Sequence, residues 1–141
     1  MTTPNPILAP VVALVAWTLV MWLWMYATRI PAILKSRMRL DPNAPRGEQM
    51  AQLPPHVRWK ADNYNHLMEI PTIFYAVALV LAVLGDTSTV SVGLAWAFVA
   101  LRVVHSLWQS LSNVIQVRFA LFVLSTLPLF GLTWRAAQAA F

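Results

Sequence analysis

Between Ile7 and Thr28 the only ionisable side chain is that of Tyr26. About 20 apolar residues, rising roughly 1.5 Å each in a helix, suffice to cross the hydrocarbon core of a bilayer. Residues 7–28 therefore read as a membrane-spanning helix, and residues 63–84, 90–108 and 116–135 repeat the signature. A 141-residue chain that is 59% hydrophobic and 11% charged sits far from the balance of soluble domains. The expected fold is all-α, one membrane domain built as a bundle of four transmembrane helices.

The charges that do occur are clustered. Residues 29–60 carry Arg29, Lys35, Arg37, Arg39, Arg46, Arg58 and Lys60, and five prolines there argue against one long helix. By the positive-inside bias this is a cytoplasmic loop, while the uncharged-to-acidic link "LGDTST" (84–89) and both termini lie on the other side. The opening "MTTPNP" has no basic side chain and the apolar run after it exceeds a signal-peptide core, so the first helix is expected to be retained. The localisation that follows is integral to a membrane. Ten Lys and Arg against five Asp and Glu do not point to nucleic acid, because the positive charge is confined to a few segments. The seven tryptophans suit headgroup anchoring and packing.

Polar residues recur at helical spacing on two spans. Asp62, Asn65, His66 and Glu69 stand at i, i+3, i+4 and i+7, and Arg102, His105, Ser106 and Gln109 repeat the spacing on the third span. The second helix leaves the basic side and the third returns to it, so both stripes, with Arg118 at the start of the fourth helix, share one half of the membrane. Arg102 lies roughly 10 Å inside its span at helical rise, where a lipid-facing arginine costs on the order of 2–3 kcal/mol. A partner is expected, and Glu69 is the natural one. Asp62 and Asn63 read as caps on the first free amides of the second helix. A pair of buried charges that only fixes helix register is the alternative to a functional chamber.

Several chemistries are excluded or disfavoured. The chain has no cysteine, hence no disulfide and no thiolate of its own. No Ser, His and Asp set provides a nucleophile with its base, and Gly47, Gly85, Gly93 and Gly131 form no phosphate-cradling loop. His66, Glu69 and His105 are metal-capable types, but His-x-x-Glu alone recurs by chance, and no metal is expected.

The segments "NHLMEIPTIFYA" (65–76) and "RVVHSLWQSLSNVIQVRF" (102–119) resemble the MAPEG family, the membrane-associated proteins of eicosanoid and glutathione metabolism, and the likeness extends over nearly the whole chain. The resemblance implies a homotrimer with glutathione as cosubstrate bound between neighbouring protomers, and a transferase or peroxidase activity toward a hydrophobic electrophile arriving from the lipid bilayer. It implies that Arg118 stabilises the thiolate while Asn65, His66, Glu69, Arg102 and His105 position the tripeptide. A bacterial inner membrane is the location expected from the same resemblance. Where catalytic members carry arginines ahead of the glutamate this chain has Asp62, Asn63 and Asn65, and Gln109, Phe119 and Phe122 replace a tyrosine, a serine and a tyrosine. Those departures favour a second reading, a non-catalytic membrane scaffold or accessory subunit with a lipid headgroup in the same pocket. A proton-coupled exporter, the third reading, would have to rest on Glu69, because the first span has no acid.

Overall fold

A computed structural model describes residues 4–141. The described residues form six helices: α1 (Leu8–Ser36), α2 (Glu48–Ala51), α3 (Pro55–Leu67), α4 (Ile70–Val83), α5 (Thr89–Leu111) and α6 (Ile115–Ala140). α3 and α4 run on as one broken rod, so four rods are long and apolar enough to cross a membrane and the fold is the four-helix bundle expected. Val12, Leu19, Leu23, Val83, Phe130 and Trp134 are exposed on its outside, as side chains that meet lipid should be.

Helix limits differ from the expected spans where prolines and caps decide them. α1 runs eight residues beyond residue 28, to Ser36, where Arg37 adopts a left-handed conformation (φ 52°) and its N–H returns to the Leu34 carbonyl. α3 starts at Pro55, inside the expected loop, because Pro54 and Pro55 need no helical donors at a first turn. The second rod then breaks at Met68 and Glu69, since Pro71 has no N–H for the Leu67 carbonyl and its ring crowds that carbonyl. Glu69, the residue before α4, takes φ −98° and ψ −101°. The turn between α5 and α6 is tight: Asn113 is left-handed (φ 51°), and the N–H groups of Ser112 and Asn113 both return to the Trp108 carbonyl.

Away from the basic loop the bundle interior is apolar. Leu14 of α1, Phe74, Ala78 and Leu81 of α4, Ala95 and Phe98 of α5, and Leu129 and Leu132 of α6 form one buried cluster, with the Phe74 and Phe98 rings stacked 4.6 Å apart. Small residues let the backbones close up. A Cβ on Gly131 would stand 3.0 Å from Leu94 Cδ1, which marks how closely α6 lies on α5.

A polar clasp closes this end. Asp86 accepts hydrogen bonds from the Ser88 N–H (2.8 Å) and the Ser91 hydroxyl (2.5 Å). Arg135 of α6 donates through Nε to Ser91 Oγ (2.5 Å) and through Nη2 to Ser88 Oγ (2.8 Å), and forms an ion pair with Asp86 at 3.4 Å. Asn5 Nδ2 donates to the Asp86 carbonyl (3.1 Å), which draws in the start of α1. At the opposite end the buried Lys60 ammonium donates to the carbonyls of His56 (2.8 Å) and Ser110 (3.2 Å) and lies 4.9 Å from the Trp24 ring centre. It thereby joins α1, α3 and the carbonyl end of α5, where a helix dipole favours a cation.

Burial pushes the Asp86 carboxyl up, but the hydrogen bonds from Ser91 and Ser88 and the Arg135 charge outweigh it and hold the group at about 2 against an ordinary 3.8. A depressed folded-state pKa stabilises the fold above the unfolded value and is lost as pH falls through the folded value. Asp86→Asn should therefore lower stability by about 1 kcal/mol at pH 7. In detergent melts its deficit against wild type should shrink as pH drops from about 4 toward 2. A deficit that is the same at every pH would show that the carboxylate charge contributes nothing.

Candidate functional site

The basic-loop half of the bundle is lined with polar side chains instead of apolar ones. Arg102, His105, Ser106, Gln109 and Ser110 of α5 are all buried, as are Lys60 and Asn63 of α3. The α5 stripe expected from spacing thus points into the bundle and not at lipid. Asn63 is no cap: with α3 starting at Pro55 it lies mid-helix, 1% exposed, and its Nδ2 donates to Ser106 Oγ at 2.7 Å. Asp62 is likewise inside the helix and exposed. The cap reading failed because it placed the helix start eight residues too late.

Arg102 is fully buried, and its partner is His66, not Glu69. Its Nη2 lies 3.1 Å from His66 Nδ1 and 3.1 Å from the His66 carbonyl oxygen. The guanidinium carbon sits 6.0 Å from the Phe98 ring centre and 5.8 Å from that of Phe122, so two aromatic faces flank the charge. The sole ion pair among the described residues is Asp86–Arg135, and Glu69 is exposed. The expected Glu69–Arg102 pair does not form because the helix break at Met68 and Glu69 takes Glu69 off the face that Asp62, Asn65 and His66 would define in an unbroken helix. At the same break the His66 carbonyl accepts only a long 3.4 Å bond from the Glu69 N–H, and Arg102 is a second donor to it.

His66 and His105 stack at 4.9 Å with 23° between their planes, and the Phe122 ring meets His66 edge-on at 5.2 Å. His66, His105, Ile115, Arg118, Phe119 and Phe122 line a cavity of about 250 Å³. Arg118 Nη1 donates to Asn113 Oδ1 at 2.8 Å, so the left-handed turn residue orients the guanidinium on the first turn of α6. Asn113 was missed in the sequence. Its only trace there is an asparagine in a turn five residues before an arginine, a type that tolerates the left-handed region.

The six expected site residues therefore divide. His66, Arg102, His105 and Arg118 come together, three of them on the cavity wall and Arg102 behind His66. Asn65 lines a different cavity with Arg29, Arg46, Arg58 and Asp62, and Glu69 lines neither.

The Arg102 contact fixes a proton. A guanidinium has donors only, so His66 Nδ1 must accept, which leaves a neutral ring with its hydrogen on Nε2. The ring's one N–H is then the donor that His66 offers to the cavity. With His105 close by, both of whose ring nitrogens are buried without a partner in the chain, the wall combines one fixed cation, one oriented donor and one imidazole with free nitrogens. An electron-rich sulfur or oxygen against Arg118, with apolar material on Phe119 and Phe122, is what such a wall can hold. Selective ¹⁵N-histidine NMR in micelles should show His66 with a protonated Nε2 and an unprotonated Nδ1, and Arg102→Met should abolish that single-tautomer signature. A protonated Nδ1 in the wild type would rule out the contact.

No curated protein and no solved structure shows significant similarity to the chain. The model of one family, described as the MAPEG family, matches residues 7–138. That match takes in the four membrane rods except the last two residues of α6, with every residue of the cavity wall, and the chain belongs to the MAPEG family.

Proposed function

We propose that the chain is a membrane glutathione transferase or peroxidase of this family that acts on a hydrophobic electrophile, with the basic loop in the cytoplasm and the site completed by a neighbouring copy in a homotrimer. The observation that carries this reading is Arg118, held by Asn113 on the wall of a cavity otherwise lined by two histidines, two phenylalanines and Ile115. A cation at that point favours the thiolate, the nucleophilic form of a thiol. Phe119 and Phe122, in place of polar residues, favour an apolar second substrate. His66 Nε2–H can donate to the atom that departs when the carbon–sulfur bond forms, or to the alkoxide released when a hydroperoxide is the electrophile.

Size and charge both favour a neighbouring copy. A cavity of about 250 Å³ with Arg118 as its one cation falls below the roughly 300–1,000 Å³ usual for ligand pockets. Glutathione brings two carboxylates as well as its sulfur, more anionic groups than Arg118 alone can pair, and a neighbouring copy would supply further cations. The exposed Glu69, which the single chain leaves unpaired, is suited to the tripeptide's ammonium in that arrangement.

Wild-type protein in detergent should show a glutathione-dependent rise in thermal midpoint and should conjugate a lipophilic aryl halide. Arg118→Ala should cut turnover about 10²-fold, with the oligomer intact by size-exclusion chromatography. A wild type with neither response would refute the enzyme, and dissociation of the oligomer in Arg118→Ala would assign the arginine to assembly, as the scaffold reading requires.

A further inference from the structure

A second cavity lies against the other side of α3. Its volume is about 370 Å³, and Arg29 of α1, Arg46 just before α2, and Arg58 and Asp62 of α3 line it. Three guanidinium groups and one carboxylate leave it with two net positive charges. None of the three arginines is in an ion pair, since Asp86–Arg135 is the sole such pair among the described residues. The Nε atoms of Arg29 and Arg58 are buried without a hydrogen-bond partner in the chain. Like charges gathered around one cavity repel, and buried donors left unpaired cost free energy. The chain nevertheless assembles them from three segments: Gly47, in the left-handed region (φ 86°), turns the loop between Arg46 and α2, and Arg58 sits on the first turn of α3.

Depth narrows the ligand. Trp22, Trp24 and Tyr26 precede Arg29 on α1, and such aromatic residues favour the headgroup zone. Arg29 is then at the membrane–water boundary on the basic side, where anionic groups of lipids lie. Arginine forks match phosphate oxygens bidentately, and two net positive charges suit a phosphate better than a single carboxylate. We infer that the Arg29, Arg46 and Arg58 cavity is a phosphate-binding site at the membrane surface, taking either the phosphodiester of an anionic lipid or a free phosphate. It is separate from the histidine cavity and does not rest on the proposed enzyme activity.

Two measurements on the full chain distinguish the sources. Native mass spectrometry of the detergent-solubilised protein mixed with phosphatidylglycerol and phosphatidylcholine reads lipid preference, and thermal shift with inorganic phosphate, against chloride at equal ionic strength, reads the free anion. A lipid site shows preferential retention of phosphatidylglycerol, and a free-phosphate site shows stabilisation by phosphate without lipid preference. In either case Arg58→Gln and Arg46→Gln should each weaken binding roughly fivefold, as about 1 kcal/mol per arginine implies. The loop arginines Arg37 and Arg39, outside the cavity, serve as controls whose Gln variants should bind as wild type does. Arg46, exposed on the loop, keeps the test open should Arg58→Gln fail to fold. Neither lipid preference nor phosphate stabilisation, or losses equal to those of the control variants, would overturn the site.

Discussion

A guanidinium with no exposed surface, inside a bundle whose outside faces lipid, is the constraint around which the basic half of this protein is organised. Arg102 cannot be deprotonated at ordinary pH, and an unpartnered charge at that depth is costly. The chain answers with dipoles and rings instead of a carboxylate: the His66 carbonyl, the His66 Nδ1 lone pair, and the faces of Phe98 and Phe122. That carbonyl belongs to the last turn before the helix break at Met68 and Glu69, where it accepts from both the Glu69 N–H and Arg102. The broken second rod and the buried arginine thus meet at one carbonyl.

The two halves of the bundle differ in chemical character. In the far half, Phe74, Phe98, Leu81 and Leu132 pack as in a soluble core, and the Asp86–Ser91–Arg135 clasp ties the helix ends together. The basic half can hold polar groups that an apolar core would not tolerate, including His105 and the Nε and Nη1 atoms of Arg102, which find no partner in the chain. Groups held this way add little to stability and are suited to meeting a ligand.

The fold was legible in the sequence because hydropathy reports spans directly: four apolar runs gave four rods, and the family resemblance agreed with the matched model. What failed to read correctly were features that depend on where a helix begins and breaks. Asp62 and Asn63 look like caps unless Pro55 is recognised as the first helical residue. Glu69 looks like the partner of Arg102 unless Pro71 is seen to interrupt the helix two residues earlier. Heptad-like spacing assumes an unbroken helix, and one proline invalidates it for every residue on the far side. Of the six residues expected as a group, His66, Arg102, His105 and Arg118 come together, whereas Asn65, on the same unbroken stretch of α3 as His66, turns to the other cavity. Asn113 could not be, since its role depends on a left-handed turn that spacing does not encode.

The two cavities flanking α3 follow from the same geometry. Asn65 and His66 are adjacent in sequence, and a helix turns about 100° between neighbours, so one faces Arg29, Arg46 and Arg58 while the other faces Arg118. A single helix thereby separates an exposed, doubly positive basin from a small aromatic-walled one. The basin can draw anions to the membrane surface by long-range attraction, which falls off within a Debye length of about 8 Å at physiological salt. The histidine cavity, with Arg118 held by Asn113 and His66 held by Arg102, offers groups fixed for direct contact. The two cavities use different residues on different faces of α3, so charge lost from the arginine basin need not disturb the Arg102 contact with His66.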